Sequence, residues 1–311
     1  MKIKKRGYLE IPFGWLFAII VGAFVLFLAI YFSTRLINVE RTTTGVETTK
    51  EIGILTNPLE SGFESAKTSS FTLPTETRIM NKCENYSSVF GEQKISLSEK
   101  SFNQWKETGV DISFQNKYFF SDDEVEGKTF YLFSKSFEFP FKIADLIYLT
   151  SSSKKYCFIS APEEVKQEIS NLNQENLIII GKEECPEGST TICFDFGDCD
   201  VKVKENYVNK EGKKLYFEGN IALMYAAIFS SPEVYECQIN RLMKRTSEIA
   251  SLYNAKGERI LNRGCDFNSG TELLSFSNSA KSTMSSSSLS EIKTEADNLD
   301  NLNKMADCLL W

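Results

Sequence analysis

The chain reads as an α+β protein, or α/β in its middle part, laid out as one N-terminal apolar helix and a disulfide-bonded body of mixed sheet and helix. Three observations carry that reading. Residues 11–34 form a long uncharged apolar run. Strand-like and helix-like patterns then follow one another from about residue 76. All eight cysteines, Cys83, Cys157, Cys185, Cys193, Cys199, Cys237, Cys265 and Cys308, lie beyond the run. With 311 residues, 42% of them hydrophobic, the chain has material for one or two packed cores.

The apolar run comes first because it decides where the rest sits. Its 24 residues contain no Asp, Glu, Lys or Arg, and about 20 apolar residues suffice for a helix to cross a bilayer. A cleavable secretory signal has an apolar region of roughly 7–15 residues and then a small-residue cleavage site. Here the run is longer and ends in YFSTRL, so a retained transmembrane helix is expected. Lys2, Lys4, Lys5 and Arg6 precede it, whereas Arg35 and Arg41 after it are accompanied by Glu40 and Glu47. The positive-inside rule then places residues 1–10 in the cytoplasm and the body outside. Trp15 and Tyr31 suit the two interfacial belts. Gly14, Ala18 and Gly22 recur every fourth residue, a small-residue stripe that lets a second helix approach closely.

The start Lys4-Lys5-Arg6-Gly7, followed by a short turn, Glu10 and the apolar helix, resembles the class III signal of archaeal type IV pilins and related surface proteins. The resemblance covers about 30 residues and implies peptidase cleavage between Gly7 and Tyr8, with the helix then packing in a filament core. Two features depart from the pilin pattern. Glu10 is the third residue after Gly7 rather than the fifth, and Pro12 separates it from the helix.

Residues 35–75 read as a stalk or linker, rich in Thr, Ser and Gly, with Asn57-Pro58 ending any helix that extends from the span. The body is expected over 76–311. ISFQNKYFFS (112–121) and TFYLFSKSFEF (129–139) are aromatic-rich strand candidates separated by the acidic loop Asp122–Glu126 and Gly127. Tyr131, Phe133, Phe137, Phe139 and Phe141 share one parity and so one face of a strand, either as a core or as an aromatic platform for a ligand. DLIYLTS and KYCFIS read as strands. Ser160-Ala161-Pro162-Glu163 then opens a helix with the spacing of a capping box, EEVKQEISNL continues it, and NLIIIG follows as a buried strand.

NIALMYAAIF (220–229) is too short to span a membrane and reads as a buried helix. Ser231-Pro232 begins a helix to about Tyr253 with Tyr235, Ile239, Leu242 and Ile249 on one broad face. Residues 268–290 read as a serine-rich loop. A final amphipathic helix over 291–310 is capped by the Ser288-to-Glu291 spacing and docks on the body.

An even number of cysteines in an exported segment points to disulfides rather than free thiols, although connectivity is not fixed by sequence. The expected pattern is a local link within Cys185, Cys193 and Cys199, with Cys308 joined to Cys237 or Cys265. A metal-thiolate site in the same trio lacks any CxxC spacing. Asp195, Asp198 and Asp200 lack the alternating ligand pattern of a Ca²⁺ loop. Asn85-Tyr86-Ser87 is a glycosylation sequon, with Asn85 as acceptor if the segment is outside.

The chain contains no histidine, which removes Ser-His-Asp triads, Cys-His pairs and HExxH zinc sites. No phosphate-cradling glycine loop is present, and a net charge of −7 opposes a nucleic-acid partner. The sequence therefore predicts a non-enzymatic, single-pass membrane protein of the cell envelope with no cofactor. Its expected partners are membrane lipid and itself or another envelope protein through the helix. The alternatives are a pilin-like filament subunit and a histidine-independent envelope enzyme.

Overall fold

The computed structural model describes residues 14–35, 67–85, 90–181, 184–261, 263–265 and 269–311. The chain divides into two units, Met1–Thr48 and Thr49–Trp311. The described part of the first unit is helix α1, Gly14–Arg35, with 22 residues and a mean hydropathy of 2.6. At 1.5 Å per residue it is about 33 Å long, matching the hydrocarbon core of a bilayer. A signal sequence would satisfy the same length and composition. The Thr34 hydroxyl closes its last turn by donating to the Ile30 and Tyr31 carbonyls.

The second unit is α+β and contains two six-stranded sheets. The first holds β1 (Lys67–Glu84), β2 (Glu92–Ser101), β3 (Gln104–Phe114), β4 (Tyr118–Phe120), β5 (Glu124–Glu138) and β6 (Lys142–Ser151) in the order β3-β2-β1-β5-β6-β4. Every pairing is antiparallel except β4 with β6. β1 begins at Lys67, inside the segment expected to be stalk, because Phe71 and Leu73 are buried in the core. The rest of that stalk, residues 36–66, lies outside the described residues.

Alternation explains why this sheet reads as nearly continuous apolar sequence. Phe133 and Phe137 on β5 and Leu146 and Tyr148 on β6 enter one core with the helices. Their neighbours Phe130, Leu132, Ile147 and Leu149 enter a second core on the opposite face. Side chains at odd and even positions point to opposite faces, so both faces of these strands are covered. ISFQNKYFFS is divided between β3 and β4 rather than forming one strand.

The second sheet holds β7 (Tyr156–Ile159), β8 (Leu177–Ile180), β9 (Thr190–Phe194), β10 (Val201–Val203), β11 (Tyr207–Lys210) and β12 (Lys213–Tyr216) in the order β12-β11-β10-β9-β7-β8. The expected strand-helix-strand unit is present: α2 (Glu163–Leu172) joins parallel β7 and β8 and buries Val165, Ile169 and Leu172. Its capping box does not form. Ser160 adopts φ 49°, and its hydroxyl donates to the Gly181 carbonyl instead.

The remaining helices complete the main core. α3 (Ile221–Phe229) is buried from Ala222 to Phe229, and the Asn220 side chain caps it by accepting from the Leu223 amide. α4 (Pro232–Leu261) continues past Tyr253 through Gly257. The segment expected to be a serine-rich loop contains α5 (Gly270–Ser282) and a short 3-10 turn at Ser286–Ser288. Serine is a weak helix former, but Leu273, Phe276 and Ala280 are fully buried at helical spacing, and Ser277 bonds both Ser247 and Ser251 on α4. Packing overrides propensity here. α6 (Leu289–Met305) docks as expected through Leu289, Ile292, Ala296 and Leu299. It ends at Met305 because the Asn303 side chain accepts from the Leu310 amide and donates to the Trp311 carbonyl, turning the chain back.

Candidate functional site

The eight cysteines form four disulfides: Cys83–Cys237, Cys157–Cys185, Cys193–Cys199 and Cys265–Cys308. The expected local link in the 185–199 trio is Cys193–Cys199, while Cys185 leaves the trio to join β7. Cys308 takes Cys265, one of its two expected partners. No thiolate among these eight is left for a metal. Within the Cys193–Cys199 loop a Cβ at Gly197 would lie 3.1 Å from the Cys193 sulfur, and φ is +124° there, so glycine is required.

The other candidates are placed as follows. Gly14, Ala18 and Gly22 lie along one exposed face of α1. Gly7 and Tyr8 lie outside the described residues. Asn85 is half-buried, with its carbonyl accepting from Lys244, and its sequon partners Tyr86 and Ser87 lie outside the described residues. The aromatic face of Tyr131, Phe133, Phe137, Phe139 and Phe141 is buried core, so it is not a ligand platform. Asp198 pairs with Lys202 at 2.8 Å, and Asp200 accepts from the Thr191 amide and hydroxyl. Those bonds hold both carboxyls below their ordinary pKa. Among the described residues no cluster of acidic, Cys or His side chains is arranged to hold a metal ion.

The acidic run expected as a loop lies mostly on β5, where Glu124 and Glu126 pair with Met80 and Arg78 of β1, and two clefts border it. One, of about 460 Å³, is lined by Met80, Lys82, Glu84, Asp123, Glu124 and Glu233 beside Cys83. A second, of about 320 Å³, is lined by Asp122, Glu124, Glu126, Ser151, Ser153 and Lys154. Glu124 borders both. Arg78 pairs with Glu124 at 3.1 Å and with Glu126 at 2.5 Å. Asp122 bridges two cations, Lys154 at 2.5 Å and Lys210 at 3.4 Å.

Lys210 is the buried member of this network. Its ammonium also donates to the Ile228 carbonyl at 3.2 Å and the Ser230 carbonyl at 2.8 Å. Burial pushes its pKa down, and Asp122 opposes that shift. Three donors meet three acceptors, which is how a buried ammonium is satisfied. The Ser151 hydroxyl donates to the Glu126 carbonyl, so neither side of a Ser-Lys nucleophile is set up here. Of the carboxylates lining the two clefts, Glu84, Asp122, Glu124, Glu126 and Glu233 are each ion-paired.

Sequence reasoning missed a second buried network, which ties α4 to the first sheet. The Phe119 carbonyl accepts from Asn81 at 3.3 Å, Gln93 at 2.8 Å and Gln238 at 3.1 Å. Next to it the Arg241 guanidinium donates to the carbonyls of Phe90, Phe114, Gln115 and Lys117 and to the Gln238 side chain, all at 2.7–3.2 Å. Arg241 is fully buried and lies 4.8 Å over the Tyr118 ring. Burial pulls its pKa to about 10, so it remains charged at neutral pH. The polar side chains come from β1, β2 and α4, and only Gln238 and Arg241 are close in sequence, so no periodicity marks the network. Comparison with protein-family models, curated proteins and solved structures finds no match.

Proposed function

We propose that the protein is a membrane-anchored envelope component whose disulfide-bonded body plays a structural or binding role outside the membrane. One observation carries the reading: all eight cysteines follow the apolar helix, and all eight are paired with one another in the body. Disulfides persist in oxidising compartments and are rare in reducing ones. The basic residues before α1 orient the chain the same way. A body with ion-paired clefts and two filled cores suits binding or scaffolding better than chemistry. The test is alkaline carbonate extraction of native membranes together with protease added to intact cells. Retention of the chain in the pellet and digestion of the body from outside support the reading. Release by carbonate or protection from external protease overturns it.

The exposed stripe Gly14, Ala18 and Gly22 favours a second reading, a filament subunit released by cleavage after Gly7. A mature chain beginning at Tyr8 supports it, and an intact Met1 opposes it.

A further inference from the structure

The hairpin joining β2 and β3 has a two-residue turn, since Ser101 pairs with Gln104. Both turn residues have positive φ, 50° at Phe102 and 59° at Asn103. Such turns favour Asn, Asp and Gly, whose side chains tolerate the left-handed region. Asn103 fits, whereas a bulky aromatic at positive φ is an outlier that the fold does not choose for its own stability. Phe102 is 95% exposed, so it contributes no packing in return. Backbone strain of this kind is concentrated where a side chain serves function. Among the described residues of the body the other strongly exposed phenylalanine is Phe196, which differs because Lys204 lies 5.8 Å over its ring.

Two further features surround the tip. Trp105 is half-buried beneath it, with Arg78 at 4.5 Å and Lys100 at 5.5 Å from its ring, an amphipathic arrangement typical of bilayer interfaces. The register Thr77↔Glu99 and the Lys100–Glu76 ion pair at 2.9 Å run the end of β2 towards the start of β1. The tip therefore points along the sheet in the direction in which β1 runs back to Lys67. Glu99 and Glu107 balance Lys100 and Lys106, so an apolar insertion is favoured over attraction to anionic lipid.

We infer that the Phe102 turn inserts into the surface of the lipid bilayer, giving the body a second, shallow membrane contact. This inference rests on the anchored reading above. It is tested with the full chain reconstituted in phosphatidylcholine vesicles, comparing Phe102→Trp and Phe196→Trp with the parent. The added Trp at 102 should emit at shorter wavelength and lose intensity when brominated lipid replaces part of the phosphatidylcholine, while that at 196 should not. A chain that stays with the vesicles after carbonate but shows a water-like, unquenched Trp at 102 overturns the insertion alone, including the case where a partner protein is the true occupant. Loss of the chain from the vesicles overturns the anchor and the insertion together. Phe102→Asn fits the turn and should raise the melting temperature. In a Trp15→Phe background it should also abolish bromolipid quenching of Trp105, and unchanged quenching would overturn the proposal.

Discussion

Arg241→Met removes the five-donor guanidinium that holds α4 against the first sheet. Four carbonyls and the Gln238 side chain lose their donor at once. Hydrogen bonds from a charged donor contribute roughly 1.5–3 kcal/mol each. Relief of the desolvation cost of the buried charge offsets a large part of that sum. Breaking a buried charged network from one side typically costs about 3–5 kcal/mol, and that is the expected loss. Against a total stability of about 5–15 kcal/mol it is a large fraction. Urea unfolding with the disulfides intact should show the midpoint falling by about 1.5 M, for an m-value near 2.5 kcal/mol/M. Arg241→Lys keeps the charge but loses the planar fork, so it should recover less than half of the loss. A midpoint within about 0.3 M of the parent for Arg241→Met would show that the guanidinium does not hold α4 to the sheet, and full rescue by Lys would show that charge rather than geometry matters.

Other perturbations report on other parts of the body. Phe276→Ala truncates a fully buried ring on α5 and should cost about 3–5 kcal/mol by calorimetry or urea; a cost under about 1 kcal/mol would return the serine-rich segment to a surface loop. Cys308→Ser opens the link to Cys265, 43 residues away. In the chain-entropy model that link contributes about 4 kcal/mol, and an unchanged melting temperature would count against it. Burial raises the Asp145 pKa, with its Lys142 pair opposing the shift. The folded state thus binds a proton more readily than the unfolded one, and the carboxylate lowers stability as pH rises through the unfolded pKa to the folded one. Asp145→Asn should therefore raise the melting temperature at neutral pH, with the gain vanishing in acid; a lowered melting temperature at neutral pH would show that the ion pair outweighs desolvation.

Elements defined by local periodicity were legible in the sequence. The bounds of α2 follow from EEVKQEISNL, and α3 from an apolar stretch too short to span a membrane. What misled was propensity without packing. The serines of 268–290 say loop, yet Phe276 and Leu273 bury at helical spacing and make α5. Ser160 and Ser288 have capping-box spacing, yet neither side chain caps its helix. The start of β1 was hidden because Lys67 to Ser70 is as polar as the stalk before it, and only pairing with β5 makes it a strand. The acidic run was visible by its charge, but its partners Arg78, Lys154 and Lys210 come from three strands and loops distant in sequence. Buried polar networks of this kind follow from tertiary structure alone.

The most direct test of the anchored, exported body is disulfide mapping of the chain taken from its native membrane, with free thiols alkylated before lysis. The expected result is four linked peptide pairs, Cys83–Cys237, Cys157–Cys185, Cys193–Cys199 and Cys265–Cys308, and no alkylated cysteine. Alkylation at most of the eight positions would place the body in a reducing compartment and contradict it.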